Sequence, residues 1–440
     1  MYKIEMLVFD NGERYPILMG SDGMPHFLAT LWVTNNLRNS LAVNTISNYL
    51  RALKWFLQWE QNERRDLFSE FQQGKFLSDL DIDNIKKHCS LDIAHIRGLS
   101  KNKKSRGKVI NIHNTPQLIS ITPTVGSNNI YIRLTSIAGY LDFIAKIAAQ
   151  ESNNKMLSTA RECMKKSILD SRPSGKKNDD TSSVDSKTLP DGLIDDFMAV
   201  AHFDHPKNPF KHIATRKRNH LMFVLLKDLG IRRGELLSLS LESSNLMLHG
   251  TEKYIWVKRH HDDKFDHRRI QPVAKTKERM LRINDETAYL IDDYIINIRA
   301  KTPNANKHPY LFVTHRKGST QGKPISISTF DTNIVSAMKG VDERFNAIHP
   351  HYFRHNWNTW FSGVIDKNNE LAKQPNSKHT WIGEGDEAKM RMSHMGHSSE
   401  RSATPYIKRH IRERANQLVL AEQEDLKRQL DESQHHKEDQ

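Results

Sequence analysis

Cysteine is nearly absent: the 440 residues contain two, Cys89 and Cys163. They lie far apart and form no Cys-x-x-Cys pair. A disulfide framework and a thiolate zinc site are therefore excluded, and a reducing compartment is expected. No apolar run approaches the roughly 18 residues that a membrane span requires. The first residues, Met1-Tyr2-Lys3-Ile4-Glu5, lack the basic-then-apolar layout of a secretion signal, so the expected location is the cytoplasm. No P-loop and no Asp-rich motif occurs, which leaves nothing in the chain that reads as a nucleotide or magnesium site. Internal repeats are also missing.

What is abundant is positive charge. The formal net charge is +14 and the isoelectric point is near 9.5, in a chain that is 37% hydrophobic and 27% charged. Such a balance fits a globular protein with a polyanionic partner. Three basic clusters stand out: Lys101, Lys103, Lys104, Arg106 and Lys108; Lys211, Arg216, Lys217 and Arg218; and Lys258, Arg259, Lys264, Arg268 and Arg269. Each alone reads equally well as a solvated loop.

The length predicts two to three domains. Residues 1–24 read as a β-hairpin arm, with Asp10-Asn11-Gly12 turning between Met6-Leu7-Val8-Phe9 and Tyr15-Pro16-Ile17-Leu18. Residues 25–168 read as a compact helical domain. Asn44 is the expected N-cap of a helix carrying Ile46, Leu50, Leu53 and Leu57 on one face. A second helix aligns Ile130, Leu134, Ile137, Leu141, Ile144 and Ala148, and Trp55, Phe56 and Trp59 belong with this core. Residues 169–189 are almost devoid of apolar side chains and read as a linker. Structure resumes after Pro190, with an apolar helix from Leu221 to Leu229 that stops at Gly230. Strands are expected at Tyr254–Val257 and Met280–Ile283, then mostly helix to residue 415. A tail, 416–440, carries a short helix. The fold class is mostly α with a small antiparallel β-sheet.

The chemistry concentrates at three places. Arg232, in Gly230-Ile231-Arg232-Arg233-Gly234-Glu235-Leu236, follows a helix stop at the mouth of a new helix N-terminus, with Glu235 three residues on to buttress a guanidinium. His351 and Arg354, in His351-Tyr352-Phe353-Arg354-His355, are one helical turn apart and can face one site. Gly396-His397 is followed nine residues later by Tyr406. Arginine forks match the non-bridging oxygens of a phosphate and stay charged at any working pH. A tyrosine hydroxyl, with a free pKa near 10, needs a base and local positive charge to become a nucleophile. The His349/His351/His355 spacing does not make a metal site, because no carboxylate or cysteine completes a shell and Arg354 would repel the ion.

In this order and spacing the motifs resemble the tyrosine recombinase, or phage integrase, family. The matching pieces are Leu229 to Leu236, His351 to His355, and Met395-Gly396-His397-Ser398-Ser399 with Tyr406. The family's lysine looks like Lys275 in Ala274-Lys275-Thr276-Lys277-Glu278-Arg279, and Lys277 stays open as an alternative. The motifs span residues from about 190 to 415. Phe353, Asn356 and Met395 depart from the usual flanking residues, and the polar stretch Lys367 to Glu387 reads as an inserted loop.

The resemblance implies an N-terminal helical, SAM-like core-binding domain and an α+β catalytic domain at 190–415. Its catalytic set would be Arg232, Lys275, His351, Arg354, His397 and Tyr406, with no metal or cofactor. It implies cutting and rejoining of double-stranded DNA through a 3′-phosphotyrosyl intermediate, by a homotetramer on DNA, with accessory DNA-bending proteins as further partners. The expected role is integration or excision of a mobile element. A type IB topoisomerase-like or resolvase activity, or a catalytically silent DNA-binding protein, are the alternatives.

Overall fold

The computed structural model describes residues 2–92, 123–149, 155–173, 192–242, 245–398, 415 and 418–428. The chain divides into two compact units, residues 1–9 with 14–179, and residues 10–13 with 180–440. The basic run Lys101 to Lys108, most of the expected linker, and Tyr406 lie outside the described residues.

The first unit begins with an antiparallel hairpin, β1 (Lys3–Val8) and β2 (Arg14–Met19), in which Val8 faces Arg14 and Lys3 faces Met19. The hairpin is not a free arm. Tyr15, Ile17 and Leu18 of β2 are buried in one cluster with the helices. These are α1 (Phe27–Trp32), α2 (Val43–Asn62), α3 (Leu67–Gln72), α4 (Asp79–Ser90), α5 (Ser127–Ala148) and α6 (Lys155–Asp170). The two long helices α2 and α5 face each other with Leu50, Leu53 and Phe56 against Leu134, Ile137 and Leu141, all fully buried. Each such side chain contributes about 1.5–3 kcal/mol by leaving water. Phe56 and Trp59 stack in the core, while Trp55 packs its ring on His88 at 4.4 Å and donates to the His88 carbonyl at 2.9 Å.

The α2 helix starts one residue before the expected cap. Ala42 is its N-cap, without a side-chain bond, and the Ala42 carbonyl receives the amides of Thr45 and Ile46. Asn44 therefore sits inside the first turn. A full capping box occurs instead at α4, where Ser78 and Asp81 satisfy each other's amides.

In the second unit, α7 (Leu193–Ala201) and α8 (Ile213–Leu229) lead into the short α9 (Arg233–Ser238). A three-stranded antiparallel sheet follows, in the order β3 (Leu246–Met247), β4 (Tyr254–Val257), β5 (Arg279–Arg282). Ile255, Val257 and Leu281 point into the core and Met280 points to solvent, the alternation expected of a sheet wet on one face. Next come α10 (Asp285–Asp293) and α11 (Ile327–Thr329), which runs on through Phe330–Val335. They are followed by α12 (Pro350–Ala372) and α13 (Glu384–Met395), and residues 418–428 are helical as well. Phe197 centres the core, with the rings of Phe223, Phe345 and Phe353 at 5.0, 5.2 and 5.7 Å, edge to face. No helix among the described residues is long and apolar enough to cross a membrane.

The polar stretch from Lys367 to Glu387 is not one inserted loop. Its start completes α12 and its end opens α13, leaving only 373–383 between them. The Asn369 side chain clips that connection, donating to the Ile382 carbonyl and accepting from the Ile382 amide, at 2.9 and 2.8 Å.

Gly230 ends α8 with φ of 58°, and a Cβ there would stand 2.8 Å from the Trp357 ring of α12. A left-handed non-glycine residue costs about 1–2 kcal/mol, and an overpacked contact about 1–3 more. Gly230→Ala is therefore expected to lower stability by about 2–4 kcal/mol in urea denaturation. A change under about 0.5 kcal/mol would mean that α8 and α12 are not in such close contact.

Candidate active site

The site forms where four chain segments meet: the α8–α9 turn, the segment before β5, the first turns of α12, and the C-terminus of α13. Arg232 is the N-cap of α9, in extended conformation, and its amide is held by the Glu235 carboxylate at 3.0 Å. One Arg232 terminal nitrogen lies 3.6 Å from Glu235 and is buried without a hydrogen-bond partner. The guanidinium is thus held at its base and still has a donor to give.

Arg354 is fully buried in the first turns of α12. Its guanidinium donates to the Gly230 carbonyl at 2.9 Å, to the Met395 carbonyl at 3.0 Å and to Nε2 of His397 at 2.9 Å. An arginine can only donate, so Nε2 of His397 must be the acceptor and the imidazole proton sits on Nδ1. That Nδ1 is buried without a hydrogen-bond partner. Burial, followed by the charges of Arg354, Arg232 and Arg279, pushes His397 down to about 4. The ring is neutral at ordinary pH.

Glu235 is fully buried and is the carboxylate at the centre of these cations. Burial works against its charge, yet the Arg279 guanidinium, the Thr276 hydroxyl and the Arg232 amide hold it below the ordinary carboxylate range. Arg279 donates to Glu235 at 2.9 Å and also to the His394 carbonyl, while Thr276 donates to Glu235 at 2.6 Å. Arg279 was not singled out from the sequence. The available signal was its place at the start of β5, four residues after Lys275, which is too common a pattern to act on.

Lys275 and Lys277 are both exposed, with the buried Thr276 between them, and both precede β5 rather than lying in it. The segment is pinned by Thr276 on Glu235 and by the Lys277 amide on the Gly396 carbonyl at 2.9 Å. Gly396 closes α13 with φ of 63°, and a Cβ there would fall 2.8 Å from the Lys277 carbonyl. The loop that carries the lysines and the turn that carries His397 thus meet closely, backbone against backbone at Lys277 and Gly396. His351 is exposed on the first turn of α12, its ring 4.5 Å from that of His355. Tyr406 follows His397 by nine residues and is outside the described residues.

One basic cluster is spent largely on structure, and a second in a single residue. Arg218 is buried against Asn219 and the Val313 carbonyl, Arg216 donates to Phe210 and Phe203 carbonyls, and Lys217 pairs with Asp293. Arg268 is buried against Asp266. Lys211, Arg259, Lys264 and Arg269 remain exposed. Among the described residues no group of three or more His, Cys, Asp or Glu side chains is arranged to hold a metal.

Among the further described histidines that burial lowers, three reach values like that of His397: His394 and His220 at about 4, and His315 at about 3. In the unfolded chain each would titrate near 6.5. Their lowered folded values mean that stability is fully present above about pH 6.5. It is lost as the pH falls towards 4, where the unfolded chain binds protons that the folded one refuses. The melting temperature is expected to be lower at pH 5 than at pH 7, and His315→Gln should flatten that dependence. A flat profile between those pH values would contradict the buried neutral state.

Residues 203–363 match the phage integrase family model. The match takes in Arg232, Lys275, His351 and Arg354 and stops short of His397 and Tyr406. Curated proteins give no significant match. Among solved structures, the chain is similar to the XerH site-specific recombinase bound to its difH substrate in a pre-cleavage complex. The TM-score is 0.41 at 12% identity, over 86% of this chain and 90% of that one. A post-cleavage complex of XerH with a palindromic difH substrate gives a TM-score of 0.41 at 13% identity, over 88% and 93%.

Proposed function

We propose that this chain is a tyrosine recombinase of the phage integrase family, whose model its residues 203–363 match, and that it integrates or excises a mobile element by cutting and rejoining double-stranded DNA through a 3′-phosphotyrosyl intermediate. One observation carries the reading. Arg354 and His397, 43 residues apart in sequence, share a 2.9 Å bond, with the charges of Arg232 and Arg279, both against the Glu235 carboxylate, acting on the same histidine. That cluster has more positive than negative charge, and its spare donors, on Arg232 and on His397 Nδ1, suit the non-bridging oxygens of a phosphodiester.

In this mechanism the Tyr406 hydroxyl attacks the scissile phosphorus and the bond to the 5′-oxygen breaks. His351 accepts the phenol proton, and Lys275 gives a proton to the leaving 5′-oxygen. Arg232 and Arg354 neutralise the charge that builds on the phosphate, and His397 donates to it. The phosphotyrosyl bond keeps the energy of the broken link, so a 5′-hydroxyl from a second strand reverses the step and ligates. No nucleotide is spent.

Recombination joins two sites and needs four active tyrosines, one for each strand cut, so the working form is a homotetramer on DNA. The segment 418–428 is helical and exposes Leu418, Val419, Leu420 and Leu426, apolar surface suited to a neighbouring protomer. The helical first unit supplies the second half of the DNA grip, and accessory DNA-bending proteins shape the sites. The reaction takes place in the cytoplasm.

Tyr406→Phe is expected to bind DNA normally and to form no covalent adduct in a denaturing-gel trapping assay; undiminished adduct would remove Tyr406 as nucleophile. A parent chain that binds DNA and never forms an adduct would be a silent DNA-binding protein. One that relaxes supercoils without joining two sites would be topoisomerase-like.

Arg354→Lys keeps the charge and loses the fork. Cleavage is expected to fall about 10²–10³-fold, and near-normal cleavage would make Arg354 structural only.

Non-covalent affinity is expected to fall steeply with salt, through counterion release. Fragment 185–440 should show a shallower slope in the same titration, whereas equal slopes would take the first unit out of the DNA grip.

A further inference from the structure

α13 carries, six residues before His397, a charged side chain that is completely buried. Arg391 has no exposed surface, and Glu387, one turn earlier, is buried beside it. One Arg391 terminal nitrogen donates to both the carbonyl and the side-chain oxygen of Asn358, at 2.9 and 3.0 Å. The other donates to the Ser362 hydroxyl at 2.7 Å and to Glu387. Asn358 in turn donates from its side-chain amide to the Arg354 carbonyl at 2.7 Å. A continuous polar chain therefore runs Glu387–Arg391–Asn358–Arg354, from one helix to the other. It ends on the backbone of the residue that grips His397.

Stability is a poor reason for such a cluster. Taking a guanidinium and a carboxylate out of water costs as much as their attraction returns, and apolar replacements of similar size often leave a fold as stable or more so. Direction is a better reason. Apolar side chains tolerate small slides of one helix along another. A planar fork bonded to three fixed acceptors does not. The quantity under control is the position of α13 along α12, which sets where the Met395 carbonyl and His397 meet Arg354.

We infer that Arg391 is a positioning residue for the Arg354–His397 pair, fixing the register of α13 on α12 through Asn358 and Ser362. It touches no substrate. Its effect belongs in the rate of the chemical step rather than in DNA binding, because a misplacement of about 1 Å costs on the order of 10²-fold in rate. The inference rests on the recombinase reading of the site.

The test uses the full chain and a DNA duplex carrying its site, with three readouts: melting temperature, non-covalent affinity and single-turnover cleavage. The double variant Arg391→Met, Glu387→Met removes both buried charges together. Its expected melting temperature is equal to or above that of the parent, its affinity is within about twofold, and its cleavage is at least about tenfold slower. A folded double variant that cleaves within twofold of the parent would overturn the role of Arg391. Should the double variant unfold, Arg391→Lys decides in its place, since it keeps the charge beside Glu387 and loses the fork. Slower cleavage at unchanged affinity supports the inference, and unchanged cleavage overturns it. The parent run alongside separates the two levels. A parent that cleaves leaves only Arg391 at issue, whereas a parent that never cleaves overturns the reading of the site together with the role that depends on it.

Discussion

The buried guanidinium of Arg354 is the joint on which the second unit's active region depends. Three acceptors from distant parts of the chain converge on it: the Gly230 carbonyl that ends α8, the Met395 carbonyl that ends α13, and the imidazole of His397. Two of these are backbone atoms at helix ends, where carbonyls have no partner of their own. One side chain thus satisfies two helix termini and orients a third group. The close approach this requires is possible only because both termini are glycines in the left-handed region, Gly230 and Gly396. Trp357 lies against the first, and the Lys277 backbone lies against the second.

The electrostatics follow from that packing. The charges of Arg232, Arg279 and Arg354 all reach His397, and the one buried carboxylate among them, Glu235, does not neutralise three guanidiniums. His397 reports this imbalance, held neutral well below its ordinary value by burial and the three cations. In the proposed reaction a phosphodiester would meet donors already fixed by protein contacts, leaving little reorganisation for the chemical step.

Much of this was legible in the sequence, for a physical reason. Arg232, Arg354 and His397 lie in short patterns where a helix stop, one helical turn and a glycine turn dictate local geometry, and local geometry survives tertiary context. The amphipathic helices α2 and α5 and the strand β4 were legible through their apolar periods. What stayed hidden depended on partners far along the chain. Glu387 closes the polar stretch that reads as an inserted loop and Arg391 lies just beyond it, and their partners Asn358 and Ser362 are some thirty residues earlier. Arg218 looked like part of a phosphate-binding cluster until the Val313 carbonyl, 95 residues away, claimed it. Arg279 was hidden for the same reason: its acceptor, Glu235, is 44 residues distant. Asn44 failed as a cap because the backbone of Ala42 already received the first helical bonds.

The Asn369 clip on Ile382 has a bearing on how this part of the chain tolerates change. With its base closed by two hydrogen bonds from one side chain, the excursion between α12 and α13 is mechanically separate from the helices it connects. Lengthening a loop whose ends are already fixed adds entropy cost only logarithmically. Residues added near Pro375 would therefore hang from the clip without shifting α13, making this span a natural hinge point for evolutionary growth and a safe place to graft a tag or a reporter.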